Sequence, residues 1–182
     1  ALLLYEWLVK QKKICSIRES KWEFAAKISA LIARKHKMIS GREYLGEDAF
    51  LIVACFEMLQ EITLSIRPVS DKGVIVIVPR TPFCRVAAGM VRGCTVVSQA
   101  KEIVFFSGFP DLTIWLDTDP KDAYQRQLIR GFDVKSLSYL EQYRVAIQNI
   151  LAEYNHIRID GSQDINSVQG IVRQVVIDRL WG

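Results

Sequence analysis

Four charged residues follow the apolar run 112–116 within a short distance. Asp117 and Asp119 come directly after it, and Arg126 and Arg130 stand four residues apart in the segment beyond. An apolar run without alternation is typical of a strand in a parallel sheet, whose ligands bind at the carboxyl ends of the strands. Arginines four apart share one helix face and suit phosphate. The spacing predicts an anion site, while Asp117 and Asp119 are interpreted as helix caps.

Two further arginines stand at the ends of predicted strands. Arg18, followed by Glu19, comes after the apolar run 14–17, and Arg80 follows the run 74–78, which contains five β-branched residues. An arginine at the carboxyl edge of a parallel sheet can grip phosphate through two parallel hydrogen bonds. We therefore expect Arg18 and Arg80 to bind an anionic group, with Glu19 holding Arg18 in place, at the rim that Arg126 also faces.

Each of these arginines also has a simpler interpretation. The two at the strand ends fit ordinary surface residues, and Arg126 and Arg130 fit a solvated helix face that pairs with Asp122 or Asp133. The sequence pattern alone leaves both interpretations open.

Alternating helices and strands position these side chains. Helical spacing or length predicts helices over 1–11, 22–37, 46–65, 83–92, 100–106, 121–130, 137–154 and 165–180, and apolar runs predict strands over 14–17, 74–78, 112–116 and 156–160. This order is typical of an α/β fold with a doubly wound parallel sheet sandwiched by helices. We expect both faces of strand 74–78 to be covered, and the second helix to turn four large residues inward, namely Phe24, Ile28, Leu31 and Ile32.

Composition narrows the function classes. The chain has 182 residues, with 24 Lys and Arg against 20 Asp and Glu, a formal charge of +4. This length fits one domain over residues 1–182, and the scattered basic residues do not form a nucleic-acid-binding face. The four cysteines lack zinc spacing and are expected to be buried free thiols, so we assign no metal ligand. The apolar start, residues 1–5, is too short to span a membrane. We expect a soluble, cytoplasmic protein.

Several of these segments together resemble one family. The chain resembles the thymidylate kinase branch of the P-loop nucleoside-monophosphate kinases from residue 1 to about residue 180. The resemblance is carried by a Leu-x-x-Trp-Leu helix, an Arg-Glu pair, a Val/Ile strand ending in arginine, a Pro-Asp-Leu-Thr strand with an Asp-x-Asp-Pro turn, lid arginines and an Ile-Asp-Gly strand end. These lie at residues 4–8, 18–19, 74–80, 110–120, 126, 130 and 159–161.

The resemblance implies an activity and its partners. It implies a P-loop NTPase-like fold that transfers the γ-phosphoryl group of ATP, with Mg²⁺, to a nucleoside monophosphate, with dTMP as the expected acceptor. It also implies a homodimer and a small lid around residues 124–136. By resemblance, Arg18, Glu19 and Arg80 bind the acceptor, Arg80, Arg126 and Arg130 are catalytic, and Gly161, Ser162 and Gln163 contact the adenine of ATP.

The chain also departs from the family pattern. The glycine-rich phosphate loop of the family is expected to precede Ala1, Pro79 stands where the family has an aspartate, and residues 56–61 lack the arginine that reads thymine. In the lid, Asp133-Val134 stands where many bacterial members have Asp-Arg. These departures support an alternative, a catalytically degenerate protein that keeps the kinase fold as a binding or structural subunit.

Overall fold

The computed structural model describes residues 1–18, 23–106, 108 and 110–181. The chain forms two compact units, Ala1–Phe109 and Pro110–Gly182. Glu19, one of the predicted acceptor-binding residues, lies outside the described residues, as does Trp22 at the predicted start of the second helix.

The first unit contains most of the helices. Its helices are α1 (Leu2–Lys10), α2 (Glu23–Lys35), α3 (Gly41–Leu45), α4 (Glu47–Glu61), α5 (Arg67–Ser70), α6 (Pro82–Val91) and α7 (Val97–Phe106), with a π-helical turn at Ile62–Ile66 between α4 and α5. Its strands are β1 (Cys15–Ile17) and β2 (Ile75–Ile77). The two strands pair in parallel, with Cys15 opposite Ile75.

Strand β2 is shorter and less covered than the sequence predicted. All residues from 74 to 78 are half-buried, so the expectation that both faces of this strand are covered is wrong for this unit. In the part of this unit that the structure describes, β1 and β2 pair only with each other, so each strand keeps one edge without a neighbouring strand. A strand of so small a sheet is less enclosed than the central strand of a large parallel sheet.

Helix α2 turns a different face inward from the one predicted. Phe24 is 72% exposed and Leu31 59% exposed, whereas Ala25, Ser29 and Ala33 are buried. Ile28 is exposed as well, and Ile32 is half-buried. The helix docks through small residues because α3 approaches it closely: a Cβ on Gly41 would collide with the Ser29 side chain. The predicted inward stripe of large residues is therefore wrong.

Helix α4 forms the centre of the first unit. With the π-helical turn and α5 it makes one helical run of 24 residues, Glu47–Ser70, which by length and composition alone could cross a membrane. One such helix is weak evidence, because a core helix meets the same criteria. One face of α4 is buried in the unit, through Phe50, Leu51, Ala54, Cys55 and Met58, as expected of a core helix.

The second unit has a simpler order. It contains β3 (Ile114–Asp117), α8 (Pro120–Arg130), α9 (Leu137–Leu151), β4 (Ile157–Asp160) and α10 (Ile165–Trp181). The strands β3 and β4 pair in parallel, with Asp117 opposite Asp160 at their carboxyl ends. The core lies between them and the helices, through Ala146, Ile147, Ile150, Leu151, Ile159, Val168, Val172 and Val176. The predicted alternation of parallel strands with helices is confirmed within each unit.

The cysteines match their prediction only in part. All four thiols are free, but only Cys55 is buried, while Cys15, Cys84 and Cys94 are half-buried. The predicted complete burial is therefore wrong for three of them.

Candidate functional site: arginines at the strand ends

Arg18 and Arg80 lie at the ends of two neighbouring strands. The Arg18 backbone N–H donates to the Ile77 carbonyl over 3.0 Å, so Arg18 directly follows the last register pair of β1 and β2. Arg80 lies three residues beyond Ile77. Both side chains are exposed, and no described residue forms a hydrogen bond or ion pair with either guanidinium. The structure thus brings these two predicted site residues to one edge of one sheet.

The backbone of Arg80 has an unusual conformation. Its φ is +65°, in the left-handed region that residues other than glycine, asparagine and aspartate rarely adopt. This conformation turns the chain between β2 and the Pro82 that begins α6. Strained residues of this kind concentrate at functional sites, where the surrounding structure maintains them.

A second group of arginines in the first unit was not predicted. Arg42 and Arg92 approach the Glu47 carboxylate, and together with Arg85 and Phe50 these residues line a cavity of about 10 Å³, room for one water molecule. Arg42 Nη1 lies 2.6 Å from Glu47 Oε2. Burial, followed by repulsion from Arg42 and Arg92, lowers the pKa of Arg85 to about 10. Packing between α4 and α6 brings these residues together. The sequence showed that basic residues are present, but not that they form one group.

In the second unit, Asp117 is the centre of an ion-pair network. Its carboxylate is 4% exposed and accepts hydrogen bonds from Arg144 Nε (2.7 Å) and Nη2 (2.9 Å) and from Arg158 Nε (2.8 Å) and Nη2. Burial raises the pKa of this carboxyl, but the hydrogen bonds from both arginines outweigh burial and hold the pKa below its usual value. Asp117 is therefore a buried anion and not a helix cap, so the capping interpretation is wrong for this residue.

The capping interpretation is confirmed for Asp119. Its Oδ1 accepts from the Lys121 N–H over 2.9 Å at the start of α8, beside Pro120 at the first helical position. Asp164 caps α10 in the same way, because its Oδ1 accepts from the N–H groups of Asn166 (2.9 Å) and Ser167 (3.1 Å).

The predicted adenine-binding turn lies where Arg126 reaches. Arg126 Nη1 donates to the Gly161 carbonyl over 2.8 Å and Nη2 donates to the Ser162 carbonyl over 3.2 Å. Gln163 hydrogen-bonds to the Asp160 carboxylate, which also accepts from the Ser162 N–H over 2.9 Å. The structure thus brings together Arg126 and the three residues predicted to contact adenine.

Arg130 is not brought to this turn. Its Nη2 donates to the Phe132 carbonyl over 3.2 Å, and its guanidinium lies over the Phe132 ring at 4.5 Å from the centroid. Neither lid arginine pairs with Asp122 or Asp133 as the simpler interpretation suggested; Asp133 contacts Lys135 Nζ at 2.7 Å.

Arg144 and Arg158 were not predicted as site residues. Arg144 stands one helical turn before the buried Ile147 on α9. An arginine on the apolar face of a predicted helix could have indicated a buried ion pair at this position. Arg158 lies opposite Trp115 in the strand register, with its guanidinium 5.1 Å from the ring centroid. Trp115 and Asp117 share one face of β3, so Arg158 reaches Asp117 diagonally.

Comparison with known proteins identifies the family. The thymidylate kinase family model matches residues 1–171, which includes both strand-end arginines, the helix α8 and the turn after β4. The chain belongs to the thymidylate kinase family.

Two curated thymidylate kinases are similar to this chain. The protein of Geobacillus sp. (strain WCH70) is 27% identical over 165 residues, which cover 85% of this chain and 76% of the relative. The protein of Mycoplasma capricolum subsp. capricolum is 28% identical over 144 residues, covering 73% of this chain and 67% of the relative. The thymidylate kinase matches therefore extend across residues of both units.

Proposed function

We propose that this member of the thymidylate kinase family is a nucleoside-monophosphate kinase that transfers the γ-phosphoryl group of ATP to a deoxynucleoside monophosphate, with dTMP as the expected acceptor. The observation that carries the proposal is the family match over residues 1–171. It agrees with Arg18 and Arg80 lying at the ends of two paired parallel strands. The match favours the kinase over the degenerate binding subunit.

The acceptor phosphate is bound by Arg18 and Arg80 in this proposal. Two guanidinium groups without a carboxylate partner among the described residues are free to form charge-assisted, bidentate hydrogen bonds to phosphate oxygens. The left-handed backbone at Arg80 supports a binding role, because a glycine would adopt this φ without strain. Glu19 keeps its proposed role of orienting Arg18.

The ATP side of the site is assigned to the turn Gly161–Gln163 and the lid arginines. Gly161 is buried, and a Cβ there would lie 2.5 Å from Thr118 Oγ1, so the backbone of the turn packs closely against the end of β3 and is held in a fixed position. ATP, when bound, supplies the phosphoryl group. Arg126 holds the turn, and Arg130, which uses one Nη for Phe132, retains donors for charge that develops during transfer.

The described residues do not form a site that fits Mg²⁺ by themselves. They contain no group of three or more His, Cys, Asp or Glu side chains able to hold a metal ion, and Pro79 offers no carboxylate beside Arg80. Mg²⁺ remains our expectation from the family, held chiefly by nucleotide phosphates.

Further features of the proposal concern architecture and location. The parallel pairing found within each unit is typical of α/β folds, and we propose a doubly wound sheet of the P-loop type in a single domain with a lid at 124–136. An open apolar hollow of about 540 Å³ lies beside α4, and Phe56 and Phe106 are 54% and 83% exposed. This exposed apolar surface supports a homodimer contact.

We propose a cytoplasmic protein that binds neither nucleic acid nor membrane.

The test is a coupled assay of ADP release by the full-length gene product, with each common deoxynucleoside monophosphate as acceptor. We expect saturable ADP release that dTMP stimulates most. Calorimetry with ATP accompanies the assay. ATP binding without stimulation by any monophosphate would replace the kinase with the degenerate binding subunit, and a protein that neither binds ATP nor releases ADP would overturn the proposal.

A further inference from the structure

The Asp117 carboxylate is held at a fixed place by two arginines from different elements. Arg144 comes from α9 and Arg158 from β4, and each donates two hydrogen bonds to this one carboxylate. The side chains of Arg144 and Arg158 are 34% and 54% exposed, against 3% for Asp117. A buried carboxylate with four donors fixes the relative positions of α9 and the carboxyl ends of β3 and β4.

The backbone beside that carboxylate fastens the turn after β4. The Asp117 carbonyl accepts from the Gly161 N–H over 2.8 Å, and the Asp119 N–H donates to Ser162 Oγ over 3.1 Å. Arg126 then holds the carbonyls of Gly161 and Ser162. The turn is thus attached to the strand end whose position Asp117 sets.

The two arginines also balance the charge around the turn. Asp117, Asp119 and Asp160 all lie close enough to Arg144 to raise its pKa, with the hydrogen bond to Asp117 as the largest cause. Arg144 Nη1 lies 3.8 Å from Asp119 Oδ2. Removing Arg144 would leave Asp117 buried with half its donors and would add net negative charge beside a site proposed to take an anionic ligand.

We propose that Asp117, Arg144 and Arg158 form a positioning network that sets the geometry of the turn Gly161–Gln163 and thereby the affinity for ATP. The inference rests on the proposed function for the identity of the ligand. None of the three residues is assigned a contact with substrate; they act through the turn. Arg144 is the principal member, because it is the less exposed of the two arginines and reaches both Asp117 and Asp119.

The test compares Arg144→Gln and Arg144→Lys with the wild-type full-length protein. We expect Arg144→Gln to raise the Kd for ATP about 10-fold while the Kd for dTMP stays unchanged, because displacement of one part of a site affects the ligand bound there. Hydrogen exchange of the Gly161 and Ser162 amides should accelerate. Arg144→Lys should recover part of the ATP affinity, since it restores the charge without the paired hydrogen bonds.

Two further variants keep the test decisive. Arg179→Gln, at an exposed arginine in the last turn of α10, is the matched control and should change neither Kd. If Arg144→Gln does not fold, Arg158→Gln replaces it, because its half-exposed guanidinium can be removed with less disturbance.

The outcomes separate this inference from the proposed function. A wild type that binds ATP, with a folded Arg144→Gln or Arg158→Gln that binds it equally well and keeps the exchange rates of the turn, overturns the positioning network alone. An equal loss of ATP and dTMP affinity also overturns it, since that pattern indicates general destabilisation. A wild type that binds no ATP overturns the proposed function and this inference together.

Discussion

Two arginines at the strand ends of the first unit are held in the opposite way from three arginines of the second unit. In the second unit, Arg126, Arg144 and Arg158 are each fixed by two or more hydrogen bonds to backbone carbonyls or to Asp117. In the first unit, Arg18 and Arg80 project from strand ends, and no described residue hydrogen-bonds to their guanidinium groups. The difference indicates that fixed guanidinium groups build the frame of a site, whereas those left exposed at a strand end are available to an anionic ligand.

The backbone after the strands also differs between β2 and β3. The strand end in the second unit leads into helix α8 through Asp119, whose side chain satisfies the Lys121 N–H. The strand end in the first unit leads into α6 through Arg80 in a left-handed conformation. Left-handed backbone also occurs at Lys12 and Lys37 in the first unit and at Asp133 in the second. Arg80 differs from these residues because it combines this conformation, which costs roughly 1–3 kcal/mol, with an exposed guanidinium directly after a strand.

The largest effect is expected from Arg80. Arg80→Gln should weaken dTMP binding about 100-fold, because it removes charge-assisted hydrogen bonds worth about 1.5–3 kcal/mol each. Calorimetry with dTMP measures the change. Arg34→Gln, at an exposed arginine near the end of α2, is the control and should bind normally. If Arg80→Gln and Arg34→Gln bind dTMP equally well, the exposed guanidinium of Arg80 has no special role in binding the acceptor.

Arg80→Gly tests whether the left-handed backbone at Arg80 is strained. It should weaken dTMP binding as much as Arg80→Gln does, yet be about 1 kcal/mol more stable to urea than Arg80→Gln, because glycine adopts φ of +65° without strain. A glycine variant no more stable than the glutamine variant would contradict the strain argument.

Asp117 should dominate stability in the second unit. Asp117→Asn removes the charge that two arginines share and should lower the free energy of unfolding by about 2–3 kcal/mol, a value reduced from that of a fully buried pair because both arginines are partly exposed. Urea denaturation measures it. Asp111→Asn, at an exposed aspartate, should be close to neutral.

Acid should remove the stabilisation that the ionised Asp117 carboxylate provides. The pKa of Asp117 is lowered in the folded protein, so its stabilising effect is complete above the unfolded-state value, about 3.9, and is lost as pH falls through the lower folded-state pKa. The difference in unfolding free energy between wild type and Asp117→Asn should therefore be constant from pH 7 to about 5 and shrink below about pH 4. A difference that grows on acidification would mean that the sign of the shift is wrong.

Two glycines in the second unit should respond in opposite directions to replacement by alanine. Gly161→Ala should destabilise by about 1–3 kcal/mol because its Cβ would meet Thr118 Oγ1 at 2.5 Å, and adding Thr118→Ala should restore part of the loss. Gly170→Ala, with nothing within 4 Å of its Cβ in α10, should stabilise by about 0.5–1 kcal/mol. Thermal unfolding measures both, and changes of the same sign would contradict the tight fit of the turn.

Local sequence patterns predicted the helices and strands better than they predicted the contacts between side chains. The helices expected over 83–92 and 165–180 are found as Pro82–Val91 and Ile165–Trp181, because periodicity, Pro82 and the Asp164 cap act within a few residues. The ion pairs of Asp117 join residues 27 and 41 positions away, which no local pattern specifies. Hence Asp117 was interpreted as a cap.

The inward face of α2 was mispredicted for a related reason. Large apolar residues were expected inside because burying them yields more free energy. The structure instead buries Ala25, Ser29 and Ala33, since Gly41 allows the backbones of α2 and α3 to approach closely. Close approach is a property of two segments together, so the composition of one helix does not reveal it.

The π-helical turn Ile62–Ile66 gives the long helix of the first unit a place to absorb changes in length. A π-helical turn holds one residue more than an α-helical turn between the same flanking segments. Each residue added to an ordinary helix rotates everything beyond it by about 100°. Loss of one residue from this turn would let the segment revert to regular winding while Arg67–Ser70 keeps its orientation, so we expect natural single-residue deletions in this helix to accumulate here.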